Sequence, residues 1–532
     1  MAAFPFLSAS LVLLQLALQC SAQHLNLTTG PLHLPNHTPG DGCVHLPIIH
    51  STNTDHFARR GIQLALNNRS DVAYYAQLDI GTPPQTVYTQ LDTGSFELWV
   101  NPDCTTVSPS DSSFCDHIGF YNASLSSTSK SLGTSKTLRY GIGAANISYV
   151  TDNISLSGSS TSLKSIQFGV ATSTKDAFSG ILGIGYGQGL ATKYPNFIDQ
   201  LYAQKITKVK AYTLALGSKT AQQGSIVFGG VDTSKFAGPL AKVPIIEAAD
   251  SPDGVPRFWV QMDGINLSPP SGESMPVYEG SKVPAFLDSG STMTLLPPKL
   301  ANKMAEDFGS PEPDANGFYR VGCEYVEMNG TVDFTFMGVG QKVTVRVPYK
   351  EMIREVGQGE SKMCFLGVMG SESFTLLGDT FLRSAYAVFD FQTNSIWLTQ
   401  ASSCGNTPAA LRDITDLSRV VGNCQIQPGQ KEAVVDVVSE TSIAPPAGST
   451  GDSDGVTGTG GNGGDGATRW GFVTTTLAVP MGAATGSASS GGSGGGSMSA
   501  AALASSGRRM AAGDVVLSAA VAVGAAVLGS LL

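Results

Sequence analysis

A six-residue stretch that occurs twice, far apart, constrains this chain more than any other feature. Gln90-Leu91-Asp92-Thr93-Gly94-Ser95 returns as Phe286-Leu287-Asp288-Ser289-Gly290-Ser291. Ile181-Leu182-Gly183 returns as Leu376-Leu377-Gly378, 91 residues after the first Asp and 90 after the second. A lone Asp-Thr-Gly is ordinarily just a turn, since all three residues favour turns. Two copies, each followed at nearly the same distance by apolar-apolar-Gly, predict two related lobes.

Each copy supplies the same chemistry. Leu91 and Leu287 end apolar, strand-like runs, which places each Asp at a strand end. Thr93 or Ser289 offers a hydroxyl, and Gly94 or Gly290 lets the backbone turn and approach closely. Ser95 or Ser291 offers a second hydroxyl that can hold a carboxylate. If the two turns face each other across a two-fold axis, Asp92 and Asp288 share one site. Like charges that close cannot both ionise, so one proton is shared. The ionised partner can then take a proton from water while the protonated one donates to a carbonyl oxygen. Neither a metal nor a cofactor is needed.

From Ala73 to about Gln400 the chain is a series of short apolar runs broken by Gly, Ser and Pro. Strands are predicted at 74–80, 85–91, 211–216, 258–267, 343–347 and 385–391, and helices only at 192–204 and 298–308. This is a mostly-β pattern. Charged residues make up 14% and the net charge is -10, with no basic patch to neutralise phosphates, which argues against a nucleic-acid partner.

Leu91-Asp92-Thr93-Gly94-Ser95 followed by Leu98-Trp99-Val100, and Ala285 to Ser291, resemble the two catalytic motifs of pepsin-like aspartic proteases. Phe178 to Tyr186, Ser225 to Val231, Leu377 to Arg383 and Val388-Phe389-Asp390 are similar to further segments of that family. The resemblance covers about 72–400. It implies a bilobal fold with a cleft between lobes at 61–240 and 241–404, and a monomeric endopeptidase acting on extended polypeptides at acidic pH. Asp92 and Asp288 are then the catalytic pair, Thr93 and Ser289 the buried hydroxyls linking the turns, and Ser95 a hydroxyl on the first Asp. Tyr140-Gly141 corresponds to the tip of a flap over the substrate, and Trp99 to the indole that holds the flap tyrosine. Phe96-Glu97 and Ile142 depart from the family pattern, which leaves subsite detail open.

The ends of the chain point to the cell surface. Phe6–Leu18 is mostly apolar and precedes small residues up to Ala22, as in a signal peptide over 1–22. Arg59-Arg60 resembles a dibasic processing site, which makes 23–60, a segment without a clear core pattern, a pro-segment. Cys20 leaves with the leader and cutting at Arg60 removes Cys43, so six of the eight cysteines remain, an even number suited to an oxidising compartment. Guided by the resemblance, the pairs are Cys104–Cys115, Cys323–Cys364 and Cys404–Cys424. Asn68, Asn122, Asn146, Asn153, Asn266 and Asn329 each begin an Asn-x-Ser/Thr acceptor for glycosylation. Residues 405–505 are expected to form a stalk, since the Gly/Ser-rich stretches within it cannot bury enough apolar surface to fold. Over 506–532 an apolar tail ends the chain, preceded by small residues at Ser505, Ser506 and Gly507, the pattern of a GPI-attachment signal. That implies attachment at the outer face of the plasma membrane or in the cell wall, and points towards the yapsin-like fungal branch, whose members favour basic residues near the cut.

Histidine supplies an exclusion and an idea. His24, His33, His37, His45, His50 and His56 all precede residue 60, leaving His117 as the one histidine beyond it. A Ser-His-Asp or Cys-His enzyme therefore lacks a base, and a His/Cys zinc site is disfavoured once the cysteines pair. Six histidines in a pro-segment would gain charge between roughly pH 8 and 5, so they could sense acidification.

Overall fold

Alternating burial along Tyr74–Ile80 and the buried Val87, Tyr88 and Leu91 of Gln85–Asp92 make these two strands an antiparallel hairpin, from which the first lobe grows. The computed structural model describes residues 42–50, 73–107, 112–141, 143–156, 161–175, 177, 179–221, 223–357, 359, 362–426 and 432–436. It is a mostly-β, bilobal molecule. One sheet of thirteen strands extends from the first lobe into the junction, and a second of eight strands forms the body of the other lobe.

The repeated sequence feature has a direct structural meaning. Gln90–Asp92 runs parallel to Ile181–Gly183, with Asp92 opposite Gly183. Phe286–Leu287 runs parallel to Leu376–Leu377 in the same way. The apolar-apolar-Gly segment is thus the strand beside each Asp-bearing strand. Its glycine is required by close approach. A Cβ on Gly183 would lie 2.5 Å from the Glu97 nitrogen, and one on Gly378 would lie 2.3 Å from the Met293 carbonyl oxygen.

The predicted strands are present with small shifts at their ends, for example Ala211–Ala215 and Trp259–Ser268. The helix expected at 192–204 is only Phe197–Ala203, because Asn196 and Asp199 form a reciprocal cap that fixes its start. The second helix is Pro298–Glu306. At the junction of the lobes Tyr212, Phe258 and Phe389 pack together, with centroids 4.8 Å apart for Tyr212–Phe389 and 4.7 Å for Phe258–Phe389. Complete burial of such a ring is worth about 2–3 kcal/mol.

The large sheet is shared across the expected 240/241 boundary: Ala241–Pro244, Ala385–Asp390 and Ser395–Gln400 all belong to the thirteen-stranded sheet. Two expectations need correction. The stalk does not begin at 405. Pro408–Ala410 pairs with Gly230–Asp232, Val421–Asn423 with Ala237–Pro239, and Val434–Asp436 with the strand Gln341–Pro348. Leu411, Ile414, Leu417 and Val420, spaced three apart, bury themselves and hold this extension. Finally, the segment read as lacking a core pattern contains Val44–His50, a strand set in the middle of the large sheet between Gln223–Phe228 and Tyr74–Ile80. Leu46, Ile48 and Ile49 in it are fully buried, as is Cys43 just before it. Arg59-Arg60, Asn68, Ile142 and Ser505 to Gly507 lie outside the described residues.

Candidate active site

The two Asp-bearing turns meet at the floor of a cleft of about 310 Å³. Their hydrogen bonds mirror each other. Thr93 Oγ1 donates to the Leu287 carbonyl at 2.9 Å and accepts the Ser289 N–H at 2.9 Å. Ser289 Oγ donates to the Leu91 carbonyl at 2.9 Å and accepts the Thr93 N–H at 3.1 Å. Each hydroxyl is buried, so this brace between the turns is shielded from water. The Gly94 N–H donates to Asp92 Oδ1 at 2.8 Å, and the Gly290 N–H to Asp288 Oδ1 at 2.9 Å.

The glycines carry a steric requirement as well. A Cβ on Gly94 would sit 2.5 Å from Asp288 Oδ1. One on Gly290 would sit 2.5 Å from Asp92 Oδ1 and 3.1 Å from Asp288 Oδ1. Each carboxyl therefore lies against the opposite turn, and the two share one pocket. Both residues are over nine-tenths buried. Burial, then the adjacent Asp92, push the Asp288 carboxyl well above the usual carboxylate range. The Gly290 N–H and the Arg257 guanidinium act in the opposite direction. Such a pair holds one proton between two carboxyls and can act as base and acid at once.

Over the pocket stands a hairpin of Lys130–Arg139 and Ala144–Leu156, closed at its tip by the Tyr140 N–H donating to the Gly143 carbonyl. Trp99 is completely buried, and its Nε1 donates to the Tyr140 hydroxyl at 2.7 Å. Tyr140 and Gly141 both line the cleft. Ser95 departs from expectation: its buried Oγ has no hydrogen-bond partner among the described residues, and Asp92 is held by the Gly94 N–H and faces Asp288 instead. Ser291 Oγ donates to the Met293 carbonyl.

The departures from the family pattern prove to be organised. Glu97 is buried, and its carboxylate takes the hydroxyls of Tyr149 and Tyr194 and the Lys136 ammonium. Phe96 lies under the Arg257 guanidinium, 5.5 Å from ring centroid to cation. The motifs gave no sign of Arg257, since it comes from the stretch just before Trp259 and reaches across the cleft to donate to the Gly94 carbonyl. Cys104–Cys115, Cys323–Cys364 and Cys404–Cys424 are all disulfides, with Cα–Cα distances of 5.6, 5.2 and 5.5 Å. Of the acceptor asparagines, Asn146 and Asn329 are exposed, while Asn122, Asn153 and Asn266 are half-buried.

A paired-carboxyl site under a hairpin, between two mostly-β lobes, defines an aspartic-type endopeptidase. Residues 73–401 match the family model described as "Eukaryotic aspartyl protease", and the chain belongs to that family. It is 32% identical over 403 residues to "Probable aspartic-type endopeptidase opsB" of Aspergillus oryzae, covering 72% of this chain and 79% of that one. It is 34% identical over 349 residues to "Secreted aspartic protease 8" of Candida albicans, covering 64% and 79%. The crystal structure of an aspartic proteinase from Irpex lacteus overlays with a TM-score of 0.51 at 20% identity, covering 68% of this chain and 98% of that one, a likeness of fold.

Proposed function

We propose that the chain is a secreted zymogen of the yapsin-like, surface-tethered kind, which hydrolyses extended polypeptides in acid with a water activated between Asp92 and Asp288. The carrying observation is the mirrored brace of Thr93 and Ser289, which holds two carboxyls in one buried pocket. With one proton on the pair, the ionised carboxyl takes a proton from water as it attacks the peptide carbonyl. The protonated carboxyl donates to the carbonyl oxygen. An extended substrate would bind through its backbone beneath the Tyr140 hairpin, its side chains falling into alternating pockets.

Secretion and tethering rest on the apolar leader, the Asn-x-Ser/Thr acceptors, the three disulfides and the small-residue and apolar C-terminal pattern. A relative bearing "Secreted" in its name agrees with export. In the zymogen reading, Val44–His50 belongs to the pro-segment and fills a central strand position. His50 is buried at its end, with Nε2 2.8 Å from the Leu216 carbonyl and its ring edge-on to Tyr74 at 4.6 Å. Burial lowers its pKa, and Arg383 reinforces that while the Leu216 carbonyl and Glu351 oppose it. Protonation in acid would therefore loosen this strand.

Acid digestion of a denatured protein by the wild type and by Asp92→Asn tests the activity. The wild type should degrade it and the variant should not; equal degradation would sink the assignment. Release of the protein from intact cells by a phosphatidylinositol-specific phospholipase tests the tether. The basic-residue preference of yapsin-like enzymes needs a cleft carboxylate free to receive a cation, and the charges in the cleft favour another choice, developed next.

A further inference from the structure

Apart from the dyad, five charged side chains among the described residues line the cleft: Glu97, Lys136, Arg139, Asp253 and Arg257. Both carboxylates are already engaged. Glu97 holds Lys136 and two tyrosine hydroxyls. Asp253 Oδ2 takes Arg257 Nε at 2.8 Å, and its Oδ1 takes Trp259 Nε1 at 3.1 Å and the Val255 N–H at 3.0 Å. Among the described residues, a substrate Lys or Arg would find no unpaired acceptor of negative charge other than the dyad itself. The cations are not all used in this way. Arg139 is exposed and has no ion pair among the described residues. Arg257 places Nε on Asp253 and Nη1 on the Gly94 carbonyl, while its Nη2 has no hydrogen bond there.

The setting of Arg257 strengthens it as a receptor. The guanidinium lies 5.5 Å from the Phe96 ring centroid and 5.2 Å from that of Phe286, between an aromatic of each lobe. Both rings lie within cation–π range of the guanidinium, while Asp253 and the Gly94 carbonyl hold its fork. A planar, fixed guanidinium is the side chain best suited to a carboxylate. It sits beside the reacting carboxyls, since the carbonyl it holds is that of Gly94, on which a Cβ would touch Asp288.

We propose that Arg257 is a specificity-determining residue: it receives an aspartate or glutamate side chain of the substrate close to the scissile bond and disfavours lysine or arginine there. The inference rests on the endopeptidase reading of this cleft and names its substrate class. It also sets a pH signature. A substrate carboxyl ionises near pH 4, so the preference should fade in stronger acid while cleavage itself persists.

The test is kcat/KM for peptide sets identical except for Glu, Gln or Lys at each position within three residues of the cut, at pH 5.5 and pH 3. One position should show Glu favoured over Gln by about tenfold at pH 5.5, the scale of one charge-assisted hydrogen bond, and near parity at pH 3. Lys at that position should be the poorest. Arg257→Gln should cleave the Gln peptide and lose the Glu advantage, whereas Arg257→Lys should keep part of it. Wild type that cleaves the Gln peptides but shows no Glu preference at any position, or prefers Lys, overturns the inference and leaves the endopeptidase reading standing. Wild type that cleaves no peptide overturns both. The wild-type comparison alone decides the matter if Arg257→Gln fails to fold.

Discussion

The turn carrying Asp92 and the turn carrying Asp288 share their inner hydrogen bonds and differ in what holds them from outside. In both, a buried hydroxyl crosses to the opposite strand, and the glycine N–H caps its own carboxyl. In both, the glycine carbonyl is gripped by a side chain of the other lobe. For Gly290 that side chain is the neutral amide of Gln90, at 3.2 Å; for Gly94 it is the cation of Arg257. The buried indoles diverge in the same way. Trp99 donates to the flap tyrosine, while Trp259 donates to Asp253, which fixes Arg257. A symmetric inner layer brings two carboxyls together, and an asymmetric outer layer gives them a flap on one side and a fixed charge on the other.

The strongest way to break this comparison is to remove either carboxyl. Asp92→Asn and Asp288→Asn should each lower kcat/KM by roughly 10⁴-fold or more, and the double variant should be no worse, since the two act as a unit. An unequal pair, with one variant nearly active, would mean that the proton is not shared. The brace comes next. Thr93→Ala and Ser289→Ala each remove a hydroxyl that donates once and accepts once, and each should cost about 2 kcal/mol in a denaturant titration. Thr93→Ser should be close to neutral; a large cost would place the threonine methyl, not the hydroxyl, at the centre of the brace.

Smaller effects sharpen the outer layer. Tyr140→Phe leaves the Trp99 N–H without its acceptor and should lower kcat/KM about tenfold while sparing the dyad's pH dependence. Arg257→Gln removes a cation that holds the Asp288 carboxyl down. The pKa of that group then rises, its proton is lost at higher pH, and the basic limb of the pH–rate profile should move up; an unmoved limb would make Arg257 electrostatically silent. The mildest change concerns Val44–His50. His50 is held neutral by burial, so its contribution to strand docking is present above the ordinary histidine pKa of about 6.5 and is lost as pH falls through its lowered value. His50→Gln should shift the pH midpoint of activation, and an identical midpoint would remove this residue from the switch.

The sequence made the symmetric layer legible and left most of the asymmetric one out of view. Asp92, Thr93, Asp288 and Ser289 repeat, and the repeat carries its own spacing to Gly183 and Gly378, because a parallel neighbour strand must return to each Asp. Arg257 has no counterpart in the repeat, and its contacts join residues 163 positions apart, so local pattern held no trace of it. Glu97 was visible only as a departure, for its tyrosine partners come from 52 and 97 residues away. Val44–His50 went unseen because Pro47 and two histidines mask the alternation of Val44, Leu46 and Ile48. The extension beyond 405 did show a signal, the three-residue spacing of Leu411, Ile414, Leu417 and Val420, overshadowed by the Gly/Ser-rich composition that follows.

The most direct test of one proton shared by two carboxyls is the pH dependence of kcat/KM for the wild type on an uncharged peptide, which reports the ionisations of the free enzyme. The account predicts two ionisations from the pair, with cleavage highest between them and lost as pH rises and the last proton leaves. A rate that stays level from acid to neutral pH, or climbs towards it, would contradict the account.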